Sequence, residues 1–198
     1  FASELASKIV DYMEKSKDVE KISTLGSLRR MLSTIGDIDI AIASKKPESA
    51  IDHFIKYPHK DRVIEKGDIS ASILLSGGKH IDLMVLEPES WGSLLQHFTG
   101  SKDHNVSLRE YALKKGLSLS EKGIKIKSKD TVKKFKTEED FYKFLGLPWI
   151  PPEIRENQGE IELALKHNLP KLIEPADIKG DLHIHSNYPI QPSHDLGQ

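Results

Sequence analysis

Two aspartates stand two residues apart at the start of an apolar segment, in Gly36-Asp37-Ile38-Asp39. If this segment is a β-strand, both carboxylates leave the same face and Ile38 points to the other. Two like charges side by side are unfavourable unless a cation relieves them. A hard divalent ion, Mg²⁺ first, does so because it prefers carboxylate oxygen. Asp-x-Asp alone is a weak signal, since two acids at a solvated strand end also occur by chance.

A third acid strengthens the hypothesis. Asp82 lies in His80-Ile81-Asp82-Leu83-Met84, where the alternation places it on the face opposite to the two apolar residues. Three carboxylates on adjacent strands can hold two cations about 3.5–4 Å apart. Asp82 would then accept or orient the proton of an attacking hydroxyl. The chemistry predicted is phosphoryl transfer, which depends on positioning and charge neutralisation.

The segment Gly26-Ser27-Leu28-Arg29-Arg30 has the residue types of a phosphate-binding turn. Glycine lets the backbone approach a phosphate closely, and Ser27 adds a hydroxyl donor. Arginine suits phosphate because its planar fork donates two parallel hydrogen bonds. The two arginines are adjacent, so we expect their side chains to diverge, one to phosphate and the other to a structural acid.

The elements that must position these residues follow from periodicity and turn signals. A first unit has helices and strands in an α+β pattern around a mixed sheet, with a hairpin at Gly77-Gly78. We predict helices over 2–16 and 48–57 and strands over 22–25, 37–43, 69–75 and 80–86. A second, helix-rich unit is predicted from caps and breakers, with helices from Ser90 to Gly100, Ser101 to Gly116 and Thr137 to Gly146, a strand over 123–127 and a further helix within 153–168.

Charge is unevenly distributed in this chain of 198 residues and net charge -1. From Gly100 to Lys136 there are eleven Lys and Arg against four acids, which makes the segment +7 and the remainder -8. Such a block is a candidate surface for a nucleic-acid backbone. An ordinary solvated charged face is the alternative.

Composition limits the broad class. There is no cysteine, no run approaching the roughly 18 apolar residues of a membrane span, and no amino-terminal signal pattern. We therefore expect a cytoplasmic protein with no membrane partner. The sequence leaves the oligomeric state open, and a monomer is our expectation. The first residue is Phe1 instead of Met, so we also expect a fragment of a longer chain.

Two motifs carry a resemblance to a known family. Gly26-Ser27, Arg30 and Gly36–Asp39 resemble the signature of the beta-type nucleotidyltransferases. The stretch His97-Phe98-Thr99-Gly100-Ser101, with Asn105 and Arg109, resembles the nucleotide-selection motif of family X (polymerase-beta-like) DNA polymerases. The matches span about residues 1–157. The resemblance implies an α+β palm with a mixed sheet over 1–88, a small basic helix-rich subdomain over 89–150, a linker over 151–178 and the start of a PHP domain over 179–198.

The resemblance also implies roles for individual residues. The catalytic and metal-binding set, holding two Mg²⁺ ions with Mn²⁺ as a possible substitute, is Asp37, Asp39 and Asp82. The nucleotide-binding set is Gly26, Ser27, Arg30, Gly36, Phe98, Thr99, Gly100, Asp103 and Asn105. The set facing template or duplex DNA is Lys102, Arg109 and Lys114. The implied function is DNA-directed DNA polymerase, with dNTP and gapped or primer-template DNA as partners, filling short gaps in DNA repair.

Three positions depart from the family pattern. Ile35 replaces a common hydroxyl residue, His80 replaces an arginine two positions before the third carboxylate, and His97 replaces a tyrosine. We expect His80 to be able to hydrogen-bond the acid. The tail Asp181–Tyr188 resembles the opening of a PHP phosphoesterase, with His183 and His185 as metal ligands on one strand face.

Two alternatives stay open at this point. One is a nucleotidyltransferase that acts on RNA or a small molecule, which the motif around Phe98 disfavours. The other is a noncatalytic nucleotide- or DNA-binding module attached to a PHP phosphoesterase, which the three intact carboxylates disfavour.

Overall fold

A five-stranded sheet organises the first half of the chain in the computed structural model, which describes residues 2–180. Its strands are β1 (Lys21–Thr24), β2 (Ile38–Ala43), β3 (Lys60–Lys66), β4 (Ser70–Leu75) and β5 (His80–Leu86). They lie in the order β1-β2-β5-β4-β3. The central pair β2 and β5 is parallel, and the other pairs are antiparallel. This mixed sheet with flanking helices confirms the predicted α+β class.

Helices cover one face of this sheet. They are α1 (Ala2–Met13) and α3 (Pro47–Phe54), while the one-turn α2 (Gly26–Arg29) lies between β1 and β2 in the chain. Apolar residues of β2 and β5 alternate, and those facing the helices form the main core with Ile9, Met13, Ile51 and Phe54. Asp39 and Asp82 therefore project from the opposite face of the sheet.

A second core lies in the basic half of the chain. It is formed by a three-stranded antiparallel sheet and by helices that follow each other closely. The elements are α5 (Lys102–Lys114), β6 (Leu117–Ser120), β7 (Gly123–Ile126), β8 (Thr131–Lys133) and α6 (Glu138–Leu145). The preceding helix, α4 (Trp91–Thr99), packs in a separate apolar cluster with residues of β2 and β5. Ser101 caps α5 by accepting from the backbone of His104, and Thr137 caps α6, both as predicted.

The segment predicted as a linker over 151–178 packs into this second core for its first half. Arg155 is fully buried, and Ile161 and Ala164 of α7 (Glu160–Leu165) join the apolar cluster. Arg155 finds a buried acidic partner, Glu138, that the sequence does not reveal. Beyond α7, Leu169 still packs against this core, and most of the following residues are exposed, with Ile173 at 83%. The exact domain bounds stay a prediction.

Among the α-helices and β-strands of residues 2–180, four short ones were not predicted from the sequence. They are α2, β3, β6 and β8. β3 reads Lys-Asp-Arg-Val-Ile-Glu-Lys and lies at the sheet edge, where six of its seven residues are exposed, so no alternation marks it. Among residues 2–180, no helix is both long and apolar enough to cross a bilayer.

Candidate active site

Asp39 and Asp82 lie side by side at the centre of the large sheet. The parallel register of β2 and β5 pairs these two residues directly. Both are partly buried, and both line a cleft of about 240 Å³ on the face away from the main core. The prediction that adjacent strands bring the acids to one face is therefore seen in the geometry.

Asp37 forms the rim of this acidic group. It stands one residue before β2 and is exposed. Burial first, and then the charges of Asp82 and Asp37, raise the pKa of Asp39 from 3.8 to about 6. Arg30 acts in the opposite direction on the same carboxyl.

The donor set suits a hard divalent cation. Carboxylate oxygens are the ligands that Mg²⁺ and Mn²⁺ prefer, and like-charge crowding at Asp39 is what a cation would relieve. Over residues 2–180, no three histidine, aspartate or glutamate side chains are grouped closely enough to hold one ion. The pair Asp39 and Asp82 is therefore the centre of the candidate site, and the complete ligand set stays a prediction.

Gly26 lets the predicted phosphate-binding turn approach the acids. Its φ is +56°, and a Cβ at this position would lie 2.1 Å from Oδ2 of Asp39. Only glycine fits both the left-handed backbone and the close approach. Ser27 follows in the first turn of α2, and Gly36 lies just before β2, where Lys79 donates to its carbonyl at 2.9 Å.

The predicted nucleotide-selection motif lies at the same cleft as the aspartates. Phe98, near the end of α4, lines the same space as Asp39 and Asp82. Thr99 is buried, and Gly100 follows with φ +73°. The two motifs are separated by about sixty residues in the chain, and the fold brings them together.

Arg29 and Arg30, of the predicted phosphate-binding turn, both form hydrogen bonds with residues in the second half of the chain. Arg29 donates to Thr99 Oγ1 and, at 2.6 Å, to Glu138. Arg30 donates to the carbonyl of Thr99 and, at 2.6 Å, to Glu156. The side chains diverge as expected, but in this structure both reach acids, so the phosphate contact of Arg30 stays a prediction.

Asn105 is held inside the protein. Its amide donates to the carbonyl of His97 at 2.7 Å, and its oxygen accepts from Gln96 at 2.8 Å. Arg109, one turn further along α5, is exposed. Burial first, and then the charge of Arg109, lower the pKa of His97, so this ring is neutral near neutral pH.

The remaining predicted residues of α5 lie at its surface. The exposed ones are Lys102, Asp103 and Lys114. His183 and His185, the predicted metal ligands of the PHP segment, lie outside the described residues. No observation on the described part of the chain assigns these residues a ligand, and their roles stay predictions.

Two groups of interacting residues were missed by sequence reasoning. Ser72 on β4 donates its hydroxyl to Oδ1 of Asp82. His104 is fully buried between Glu160, 2.5 Å from Nδ1, and the hydroxyl of Tyr142, 3.1 Å from Nε2. A lone serine or histidine in a sequence carries no signal for such contacts, because the partners are 10 to 56 residues away.

The fold and the site define a class of protein with two units. One unit contains the mixed sheet with the paired carboxylates, and the other is basic and has its own core. The profile of the DNA polymerase beta thumb matches residues 94–156. Over 190 residues, 95% of this chain, it is 37% identical to the DNA polymerase/3'-5' exonuclease PolX of Bacillus subtilis (strain 168). Over 162 residues it is 28% identical to DNA polymerase lambda of Rattus norvegicus.

These similarities confirm the resemblance to the family X, polymerase-beta-like DNA polymerases that the motifs predicted. The chain spans about a third of the length of these relatives, 33% of the first and 28% of the second.

Proposed function

We propose that this chain carries the nucleotidyl-transfer centre of a DNA-directed DNA polymerase. The reaction proposed is metal-dependent addition of a deoxynucleotide from dNTP to a primer 3′-hydroxyl, used to fill short gaps during DNA repair in the cytoplasm. The observation that carries this proposal is the direct pairing of Asp39 with Asp82 in one cleft with Phe98. Similarity to DNA polymerases of this family supports the choice of DNA as acceptor.

The acidic side chains would hold the cations. Asp39 and Asp82 would bind two Mg²⁺ ions, with Asp37 at the rim as a further ligand. When bound, the ions would activate the attacking hydroxyl and neutralise the triphosphate. Asp82 orients or accepts the hydroxyl proton. Gly26 keeps the backbone close to Asp39, so that a phosphate on these cations also meets the turn at Ser27.

Residues of the second unit would position the nucleotide and the DNA. Phe98 forms the cleft wall on which the incoming sugar would lie. The exposed residues of α5, which include Lys102 and Arg109, lie within the segment 100–136, whose net charge is +7, and would meet DNA phosphates.

The direct test is insertion of one deoxynucleotide into a gapped DNA substrate, with and without divalent metal. Asp82→Ala should lower the insertion rate on the order of 10³-fold, because the transition state loses its preorganised charge stabilisation. Binding of dNTP should change little. The control is Asp11→Ala, which removes an exposed acid on α1 and should leave insertion unchanged.

Three results would reject the proposal. Insertion by Asp82→Ala at the rate of the unaltered protein would remove the assigned centre. Tight dNTP binding with no insertion in either Mg²⁺ or Mn²⁺ would favour a noncatalytic binding module. Insertion into an RNA acceptor but not into DNA would favour the other alternative acceptor class.

A further inference from the structure

The strand on the other side of Asp82 carries a serine directly opposite it. β4 and β5 are antiparallel, and their register pairs Ser72 with Asp82. Directly opposite residues in such a pair project to the same face of the sheet, with Cβ atoms about 4.5–5.5 Å apart. Asp82 is therefore flanked by Asp39 on one side and by Ser72 on the other.

The hydroxyl of Ser72 forms its hydrogen bond with the carboxylate of Asp82 instead of with the backbone. It donates to Oδ1 of Asp82, in a partly buried position within the cleft. A carboxylate on a strand otherwise rotates freely about its last torsion, which is broad for aspartate. A donor fixed on the neighbouring strand removes that freedom and leaves the second oxygen, Oδ2, for another ligand.

The position expected to support Asp82 does not do so. His80 lies two residues earlier on β5 and was expected to hydrogen-bond the acid. Its side chain is exposed, and among the contacts of residues 2–180 it makes no hydrogen bond to Asp82. The supporting donor comes from the neighbouring strand instead of from the same strand.

We propose that Ser72 is a positioning residue that aims the Asp82 carboxylate at the cation shared with Asp39. Partners that orient a metal-binding carboxylate typically change metal affinity or activity by about 10–100-fold when they are removed. The inference rests on the proposed function for its kinetic consequence, but its effect on metal binding is independent of turnover.

The experiment compares Ser72→Ala and Ser72→Thr with a matched control, Ser23→Ala. Ser23 lies on β1 of the same sheet, and its hydroxyl donates to the carbonyl of Thr24 instead of to an acid. Mn²⁺ binding is measured by electron paramagnetic resonance titration, and single-nucleotide insertion is measured on gapped DNA. We expect Ser72→Ala to weaken Mn²⁺ binding and to lower kcat by about 10–100-fold, with KM for dNTP unchanged.

Further variants test whether the effect of Ser72 on Mn²⁺ binding depends on its hydroxyl and on the carboxylate of Asp82. Ser72→Thr keeps the hydroxyl and suits a strand, so it should restore most of the Mn²⁺ affinity. Ser23→Ala should bind Mn²⁺ as the unaltered protein does. In an Asp82→Asn background, Ser72→Ala should cause no further loss of Mn²⁺ affinity, because the group that it positions is already changed.

The outcomes separate the two proposals. If the unaltered protein inserts no nucleotide, the proposed function fails, and the Mn²⁺ titrations still decide the role of Ser72. If Ser72→Ala binds Mn²⁺ as tightly as the unaltered protein, the positioning role is overturned even where the polymerase activity stands. Equal losses in Ser72→Ala and Ser23→Ala would also overturn it, since any missing strand hydroxyl would then have the same effect.

Discussion

Asp39 lies directly opposite Asp82 on the neighbouring strand and is partly buried. The negative charge of Asp37 also acts on its carboxyl group. Its ionised form is disfavoured by burial and by both neighbours, so its pKa in the folded protein is about 6, against 3.8 ordinarily. The folded state therefore retains this proton to higher pH than the unfolded state. Stability that is present below pH 4 is lost as the pH rises through about 6.

Asp39→Asn should remove this penalty. With a chelator present, we expect the variant to be more stable than the unaltered protein at pH 7, by about 1–2 kcal/mol after allowance for solvent screening of a partly exposed group. The gain should shrink as the pH falls and vanish below about pH 4. Urea unfolding across this range measures it, and a variant less stable at pH 7 would contradict the assigned cause.

The close approach of the backbone to Asp39 explains why position 26, at the start of α2, is a glycine. A side chain at this glycine would collide with Asp39 Oδ2, so the turn and the acid must be matched to each other. The site is thus set by close approach of a backbone and a carboxylate, as well as by the pairing of strands.

Helices α5, α6 and α7 are joined inside the second core by one hydrogen-bonded group. The hydroxyl of Tyr142 donates to Nε2 of His104, and the Nδ1–H of this ring donates to Glu160. Burial raises the pKa of Tyr142 to about 12, so the hydroxyl keeps its proton. Burial also lowers the pKa of His104, so the ring is neutral. Burial acts to raise the pKa of Glu160, but the hydrogen bonds from this ring and from backbone N–H groups together lower it, so the carboxylate is charged.

Protonation of His104 would remove the acceptor that Tyr142 uses. The folded-state pKa of this histidine lies below 6.5, so the unfolded state binds the proton first. Stability should be full above pH 6.5 and fall as the pH drops below it. The pKa of His97 is also lowered by burial, so this ring contributes in the same direction.

His104→Gln isolates the contribution of this element. We expect the variant to be less stable at pH 7.5 by about 1–3 kcal/mol, since it leaves buried partners unpaired. Its stability should depend less on pH between 6.5 and 5 than that of the unaltered protein. His167→Asn is the control, because this exposed residue has φ +52°, which asparagine tolerates. An unchanged pH dependence in His104→Gln would contradict the assigned proton.

The two cores are joined through buried charge. Arg29 of the first unit binds Glu138, which is 3% exposed and also binds the fully buried Arg155 at 2.7 Å. Arg30 binds Glu156, and the backbone N–H of Ser101 donates to the carbonyl of Arg155 at 2.9 Å. The carboxylate of Glu138 stays ionised because the adjacent guanidinium groups lower its pKa against the effect of burial. The units therefore meet through these charged contacts, which include the turn next to the cleft, and through an apolar cluster in which Leu94 of α4 packs with Leu25 and Ala41.

Binding of DNA by the whole molecule should depend on the basic unit. Lys127 and Lys129 are exposed on the segment with net charge +7. The double variant Lys127→Gln, Lys129→Gln should weaken DNA binding similarly for all sequences and reduce the slope of log affinity against log salt by about 2. Fluorescence anisotropy over a range of salt concentrations measures this slope.

The matched control removes two exposed lysines from the first unit. Lys8→Gln, Lys15→Gln changes the net charge by the same amount on and beside α1. It should leave the salt slope unchanged. Equal slopes for the two double variants would show that net charge, and not the basic surface, governs binding.

The sequence by itself determined what depends on neighbours in the chain. Period-two alternation placed Asp39 and Asp82 on one face, and the hydroxyls before two helices predicted the caps at Ser101 and Thr137. These features rest on local geometry, in which each side chain's direction follows from the backbone. The family motifs predicted roles for the residues, and the comparisons confirmed the resemblance to the family.

Only the tertiary structure decided which distant groups meet. The pairing of Ser72 with Asp82 depends on the register of β4 against β5, and the burial of His104 and Arg155 depends on how α6 and α7 pack. Short exposed strands such as β3 also escaped prediction, because their pairing is set by the strand beside them. Register and packing are properties of the whole fold, since each contact between distant residues exists only after the chain between them has closed.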